Sequence, residues 1–371
     1  MRAGPNFSGL VEKKRPAHAS PLLAFSWMLE VRSVLAVCMA LLFPAAAAGE
    51  RPHFPVVDLH VDLPYQLGFH AQPLRHGTGQ AALSALQSGG VTGLVLPLFV
   101  PWKVSPGGPR AVDLEQSYGR VLGELFQGAG LALPGCGAGG DIRTWLAFEG
   151  AGPLADEPAS LRAWVARGVR FVGLVHTQQN RLASSSGDTP RAEFGLTAAG
   201  RELVRQAHEL GVAVDISHAS DRAVAEVLTL AAETGGVVVA THSNARALAD
   251  HPRNLTDAQL RGVATTGGVI GINFHSPFVV LGRPATLSDV VRQALHVVRV
   301  AGENHVAIGS DFEGGIRPAL GLEDASRLPV LGRELLSAGL SATAVRKMFS
   351  ENALRVLCGS AKGQSPRSSG L

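Results

Sequence analysis

The stretch Val56-Val57-Asp58-Leu59-His60-Val61-Asp62-Leu63-Pro64 begins as a short, apolar, β-branched run and ends in a histidine and a carboxylate two residues apart. In a strand, residues i and i+2 face the same side. His60 and Asp62 are therefore expected to project together, with Pro64 stopping the strand. An imidazole beside a carboxylate at a strand's C-terminal end is half of a divalent-metal site. Taken alone, the more ordinary reading is a histidine hydrogen-bonded to a nearby aspartate. Recurrence separates the two readings, because later apolar runs in the chain also end in His, Glu or Asp.

Seven further buried strands are expected at 91–98, 144–149, 169–175, 212–216, 237–241, 268–274 and 305–309. Helical segments alternate with them: 111–130, with Leu114, Tyr118, Val121, Leu122 and Leu125 on one stripe, then 160–166, 197–210, 221–233, 288–300 and 341–357. One more opens at a capping box, Thr256-x-x-Gln259. Continuously apolar strands suit a sheet buried on both faces, and each crossover is long enough for parallel pairing. The combination argues for a single-domain (β/α)8 barrel of the TIM type, whose active sites sit at the C-terminal ends of the strands. A doubly wound sheet is disfavoured, since no Gly-x-Gly-x-x-Gly opens a helix. The polar stretch 178–188 interrupts the alternation and reads as a loop over the site.

Not all 371 residues belong to that barrel. Residues 34–48, VLAVCMALLFPAAAA, form an h-region with an A-x-A-like end, so 1–49 read as a leader carrying a secretory signal. An ordinary signal would start at Met28, and an uncleaved leader would instead act as a membrane anchor. A secreted or periplasmic location follows. The barrel is expected over 50–359 and a disordered tail over 360–371. Removing the leader lowers Lys+Arg from 33 to 28 and Asp+Glu from 30 to 28, a formally neutral chain. No basic stripe is left to bind nucleic acid. Cys38 lies in the leader; Cys136 and Cys358 fit no metal spacing, and two buried thiols are favoured over a disulfide.

The strand ends alone collect His60 and Asp62, Glu149, His176, His218, His242 and Asp311. Nitrogen and carboxylate donors without thiolates suit Zn²⁺, with Mn²⁺, Co²⁺ or Fe²⁺ as alternatives. Five ligands drawn from these seven groups exceed one open tetrahedral site and suit two metals about 3.5–4 Å apart.

At this point the chain resembles the membrane (renal) dipeptidase family, binuclear zinc peptidases of the amidohydrolase superfamily. The resemblance runs from about Val56 to Leu357. It rests on DLHVDLPYQL (58–67), AFEG (147–150), GLTAAGRELVRQAHELGVAVDISHAS (195–220), ATHSNARAL (240–248), HPRNLTD (251–257), AIGSDFEG (307–314) and SENALRVL (350–357). It implies two Zn²⁺ per chain sharing a hydroxide. His60 and Asp62 match the ligands of one zinc, His218 and His242 those of the other, and Glu149 the bridge between them. His176 matches the histidine that contacts substrate and stabilises the oxyanion, and Arg253 the arginine on the dipeptide's terminal carboxylate. Asp311 matches the acid that handles the proton. The implied activity is hydrolysis of dipeptides, with a D-residue at the C-terminal position or a β-lactam-type amide as further substrates, and the resemblance admits a homodimer.

Two readings compete: a binuclear amidohydrolase acting on a non-dipeptide amide, and a metal-stabilised barrel that binds without catalysing. The run LVLPLFVP (94–101) and the loop LASSSGD (182–188) depart from the family's pattern near the expected side-chain pockets. Asp58 is expected to orient a ligand histidine, while Asp215 either does the same or is a satisfied strand residue. His53, His70, His76, His208, His251, His275, His296 and His305 match no ligand position, so surface or packing roles are expected.

Overall fold

A computed structural model describes residues 54–359 except 71–78, 105–107, 124–130, 132–135, 137–141 and 193. The leader and the tail lie outside the described residues. Among those described, no helix is long and apolar enough to cross a membrane.

Eight strands follow the expected alternation: β1 (Val56–Asp58), β2 (Val91–Leu98), β3 (Arg143–Glu149), β4 (Val169–Gly173), β5 (Ala213–Asp215), β6 (Val238–Val239), β7 (Ile270–Ile272) and β8 (Val306–Ile308). Their hydrogen-bonded order is β6-β5-β4-β3-β2-β1-β8-β7, all parallel. The two outer strands meet through a parallel bridge, Ala240 to Ile270. There the Gly271 N–H donates to the Ala240 carbonyl at 2.8 Å. The sheet thus closes on itself as a (β/α)8 barrel.

Alternation along the strands divides the core in two. Val57, Val95, Trp145, Ala147, Phe171, Ala213, Val239, Val269 and Ala307 fill the barrel interior. Their sequence neighbours Val56, Leu94, Leu146, Val172, Val214, Val238, Ile270 and Ile308 pack outward under the helices. The helices of that outer layer begin where their caps dictate. Thr197, Ser220 and Ser341 each accept a backbone N–H at Ala198–Glu209, Asp221–Thr234 and Ala342–Arg346. Thr256 and Gln259 make the expected capping box, Oγ1 accepting from Gln259 N and Oε1 from Thr256 N.

Several features depart from the sequence reading. First, β1 stops at Asp58, and Pro64 lies in the first turn of a helix, Leu63–His70, where its missing N–H breaks no hydrogen bond. Second, the expected final helix is interrupted: Ala342–Arg346 passes through a π turn, Lys347–Glu351, into Asn352–Gly359. A helix at Leu328–Ser337 was also not anticipated. Third, Cys136 and Cys358 are joined by a disulfide with Cα atoms 5.6 Å apart, rather than being two buried thiols. Spacing could not reveal the pair, which is 222 residues apart in sequence.

That bond lies at the barrel floor. Ala353, Val356 and Leu357 pack against the interior cluster, and Trp145 Nε1 lies 3.3 Å from Cys136 Sγ. Closing so long a loop restricts the unfolded chain, so the double replacement Cys136→Ser/Cys358→Ser is expected to cost about 2–4 kcal/mol. The urea midpoint should fall accordingly; an unshifted midpoint would mean that the bond adds nothing to stability.

Candidate active site

Glu149 is placed by simple alternation. Trp145 and Ala147 point into the barrel, so Glu149, at the C-terminal end of β3, does too. His60 is placed by an exception. Leu59 packs inside the barrel, and unbroken alternation would turn His60 outward. The ladder is irregular here instead. Regular alternation still holds from Val57 to Leu59, both inside the barrel, and fails just after them. Leu59 N–H then donates to Ile308 of β8, whereas Val61 N–H donates to Val95 of β2. Such irregularities re-aim side chains beside active sites. His60 and Asp62 consequently both reach the mouth, 3.5 Å apart between Nε2 and Oδ2.

His176 and His218 lie three residues beyond β4 and β5. One clasp holds both: Ser185 Oγ donates to the His176 carbonyl at 2.5 Å and lies 3.2 Å from that of His218. Asp188 secures the loop by accepting from Gln179 N and Ser185 N. The diverged loop 182–188 therefore orders the site's backbone, and of its residues only Gly187 lines the cavity. His242 follows β6. Asp311 follows β8 in a left-handed backbone conformation, φ 66°, unusual for a residue with a Cβ. Its Oδ2 accepts from Asn273 Nδ2 at 2.9 Å.

These groups converge. Glu149 Oε1 lies 3.0 Å from His218 Nε2, 3.3 Å from His60 Nε2, 3.6 Å from His242 Nε2 and 3.8 Å from His176 Nε2. Ligand atoms gather in three overlapping sets, each within 4.8 Å: His60, Glu149 and His242; Glu149, His176 and His218; His60, Asp62 and Asp311. The resemblance divides the ligands differently, placing His218 with His242. All five lie in this one cluster.

The donor chemistry fits cations. His218 Nε2 and His242 Nε2 face each other at 3.0 Å, where at most one neutral ring can donate. His60 Nε2 is buried beside two carboxylates without forming a hydrogen bond. Burial disfavours a charge on His60, but Glu149 and Asp62 outweigh it and push the imidazole up to about 10. Burial lifts the Asp62 carboxyl well above its usual range against the pull of His60. It lifts Asp311 to about 6, again opposed by His60. Glu149 goes the other way: burial would raise it, yet His176 and His60 hold it well below the ordinary range. His218 and His242 are depressed by burial first, then by Arg253 and, for His242, by His60. A buried set of imidazole nitrogens and carboxylates whose protonation is this frustrated is suited to divalent cations.

Arg253 completes one wall of a cavity of about 430 Å³ that also touches Asp62, Glu149, His176, His218 and Asp311. It is 8% exposed. Its Nε and Nη1 have no hydrogen-bond partner, and its guanidinium sits 5.4 Å over the Phe278 ring. Tyr65, Phe99, His251, His275 and Phe278 line the same space, with Phe99 4.3 Å from the His176 ring. For His251 and His275 this corrects the expectation of purely surface or packing roles. Their Nδ1 atoms accept from Arg253 N and Arg317 N, which fixes the rings at the cavity wall. His70, His208, His296 and His305 stay outside the cluster; His53 and His76 lie outside the described residues.

Sequence reasoning gave Asp58 only a general orienting role and missed Thr241. Asp58 Oδ1 accepts from the backbone of His60 and Ser310, joining β1 to β8, rather than from an imidazole. Thr241 Oγ1 stands between His60 Nδ1 and His242 Nδ1. The only signal for it was period two from Val239, which turns Thr241 inward.

Residues 135–367 match the family model described as membrane dipeptidase, peptidase family M19. An uncharacterized dipeptidase of Schizosaccharomyces pombe is 30% identical over 344 residues, covering 82% of this chain and 80% of that one. A metallo peptidase from Rhodobacter sphaeroides, solved with a phosphinate mimic of the dipeptide L-Ala-D-Ala, superposes with a TM-score of 0.73 at 26% identity. It covers 82% of this chain and 99% of its own. The structure of dipeptidase AC gives a TM-score of 0.72 at 27% identity over 83% of this chain and 99% of that one.

Proposed function

The chain belongs to the membrane dipeptidase family, peptidase family M19, and is a metallopeptidase acting on dipeptides; from that premise we propose that it works with two zinc ions and measures its substrate through Arg253. The observation that carries the reading is Glu149 Oε1, ringed by four imidazole nitrogens at 3.0–3.8 Å. His60 and Asp62 would hold one cation, His218 and His242 the other, with Glu149 between them. When bound, the pair supplies Lewis acidity and a water acidic enough to ionise near neutrality.

The chain's own groups do the rest. Arg253, which lines the cavity, forks its guanidinium onto the dipeptide's terminal carboxylate, which sets the distance from that terminus to the scissile bond. His176, the most exposed imidazole of the cluster with 29% of its side chain accessible, faces the developing oxyanion. A donor there contributes on the order of 3 kcal/mol. Asp311, steadied by Asn273, takes the proton of the attacking water and passes it to the leaving amine. Support for a D-residue at the second position comes from the R. sphaeroides peptidase, whose ligand mimics L-Ala-D-Ala.

The test is metal removal. Chelated protein should lose dipeptide turnover and regain it with two equivalents of Zn²⁺, with L-L and L-D pairs cleaved and tripeptides spared. Turnover that survives chelation sinks the metal mechanism, and full recovery with one equivalent sinks the binuclear one.

We also propose export from the cytoplasm, because the leader reads as a signal and Cys136–Cys358 is a bond that persists in oxidising compartments. Sequencing the N-terminus of the exported protein checks it: a start near residue 49 agrees, and a protein confined to the cytoplasm refutes it.

A further inference from the structure

We infer that Thr241 is a positioning residue that sets the orientation and tautomer of two ligand imidazoles at once, His60 and His242; this rests on the metal reading proposed above. A hydroxyl has one proton to give and two lone pairs to offer. Thr241 Oγ1 lies 2.6 Å from Asp215 Oδ2, 2.9 Å from His242 Nδ1 and 3.3 Å from His60 Nδ1, all buried.

Asp215 decides where the proton goes. Its carboxylate accepts from Thr241 N and Ser217 N, each at 3.0 Å, and from Ser217 Oγ at 2.6 Å. A group so surrounded by donors acts as an acceptor, and it claims the Thr241 proton as well. Ser217 Oγ is 3.2 Å from Thr241 Oγ1, but its proton is already directed at Asp215. Both lone pairs of Thr241 are left for the imidazoles. Each ring must then carry its proton on Nδ1, which turns the Nε2 lone pairs of His60 and His242 toward Glu149.

The threonine cannot drift from that post. Gly271 of β7 and Gly309, just after β8, face it, and a Cβ on either would collide with the Thr241 carbonyl oxygen. The neighbouring backbones therefore close directly onto residue 241. A ligand histidine whose second nitrogen is held in this way keeps its ring oriented, and loss of such a partner typically weakens metal binding by about 10–100-fold.

Thr241→Val keeps the shape and removes the hydroxyl; Thr241→Ser keeps the hydroxyl. The readout is Co²⁺ affinity, from the absorption of the bound ion titrated against a competing chelator. Circular dichroism and the thermal midpoint of the metal-free proteins establish that each variant is folded. The expected result is affinity lower by about 10–100-fold in T241V and recovered to near the wild-type value in T241S. In the Co²⁺ protein, the shifted, solvent-exchangeable Nδ1–H proton signals of two imidazoles should be lost or broadened in T241V and retained in T241S. Folded T241V that binds Co²⁺ as tightly as wild type overturns the role of Thr241 alone. Equal losses in T241V and T241S do the same, since they point to packing. Wild-type protein that takes up no Co²⁺ overturns the metal reading beneath it.

Discussion

Replacing Glu149 with glutamine is expected to lower kcat/KM for dipeptides on the order of 10⁴-fold or more, the scale at which a site acting as a unit responds to loss of one member. The same change should strip the protein of bound metal. The reason is geometric. One oxygen, Oε1, is within 3.8 Å of the Nε2 atoms of His60, His176, His218 and His242, so this one carboxylate lies against both halves of the cluster. Glutamine keeps the volume but loses the charge, and it presents an amide N–H₂ or a weaker acceptor to four nitrogens. Metal per chain by atomic emission and kcat/KM on a cleaved dipeptide measure the two effects, with circular dichroism as the check on folding. A folded variant retaining two metals and substantial turnover would remove Glu149 from the centre of the mechanism.

The second large effect belongs to Arg253. Replacement by methionine is expected to reduce kcat/KM by roughly 30- to several thousand-fold, corresponding to the 2–5 kcal/mol lost when one member of a buried, hydrogen-bonded charge pair is truncated. Most of the loss should appear in KM, because the carboxylate is bound before and during reaction alike. The free protein holds this guanidinium 8% exposed with two nitrogens unpartnered, an arrangement that is costly until an anion arrives. Stability should accordingly hold or rise in the variant. The discriminating substrate is a dipeptide amide, which lacks the terminal carboxylate. Its slow turnover should be indifferent to the replacement. If free and amidated dipeptides lose equally, Arg253 supports the pocket rather than reads the terminus, and the competing non-dipeptide amide gains ground.

Much of this was legible before any coordinate. Apolar runs alternating with amphipathic ones mark the strands and helices, and local chemistry marks their ends: the Thr256–Gln259 box formed as written. Because barrel strands are parallel, their C-terminal ends share one rim, so a list of strand-end residues is already a list of neighbours. That is why His60, Asp62, Glu149, His176, His218, His242 and Asp311 could be grouped without knowing a single distance. The resemblance carried the reading to Arg253, which is on a loop where periodicity says nothing.

The limits have physical causes as well. Strict alternation would turn His60 away from Glu149, and a slip just beyond β1, where the backbone changes partner from Ile308 to Val95, brings it back. Such a slip depends on both neighbouring strands and leaves no local mark. The Cys136–Cys358 bond joins residues made adjacent only by packing at the barrel floor. The grip of Ser185 on two carbonyls, the walls formed by His251 and His275, and the meeting of Thr241 with two imidazoles and Asp215 are contacts between segments far apart in the chain. By itself the sequence determined the alternation, the rim and the chemical types gathered there, since each depends on residues within a turn or a strand of one another. Which atoms of that set touch, which tautomers they adopt and which hydroxyl holds them were decided by closure of the barrel, because those are matters of tenths of an ångström between β1, β3, β5 and β6.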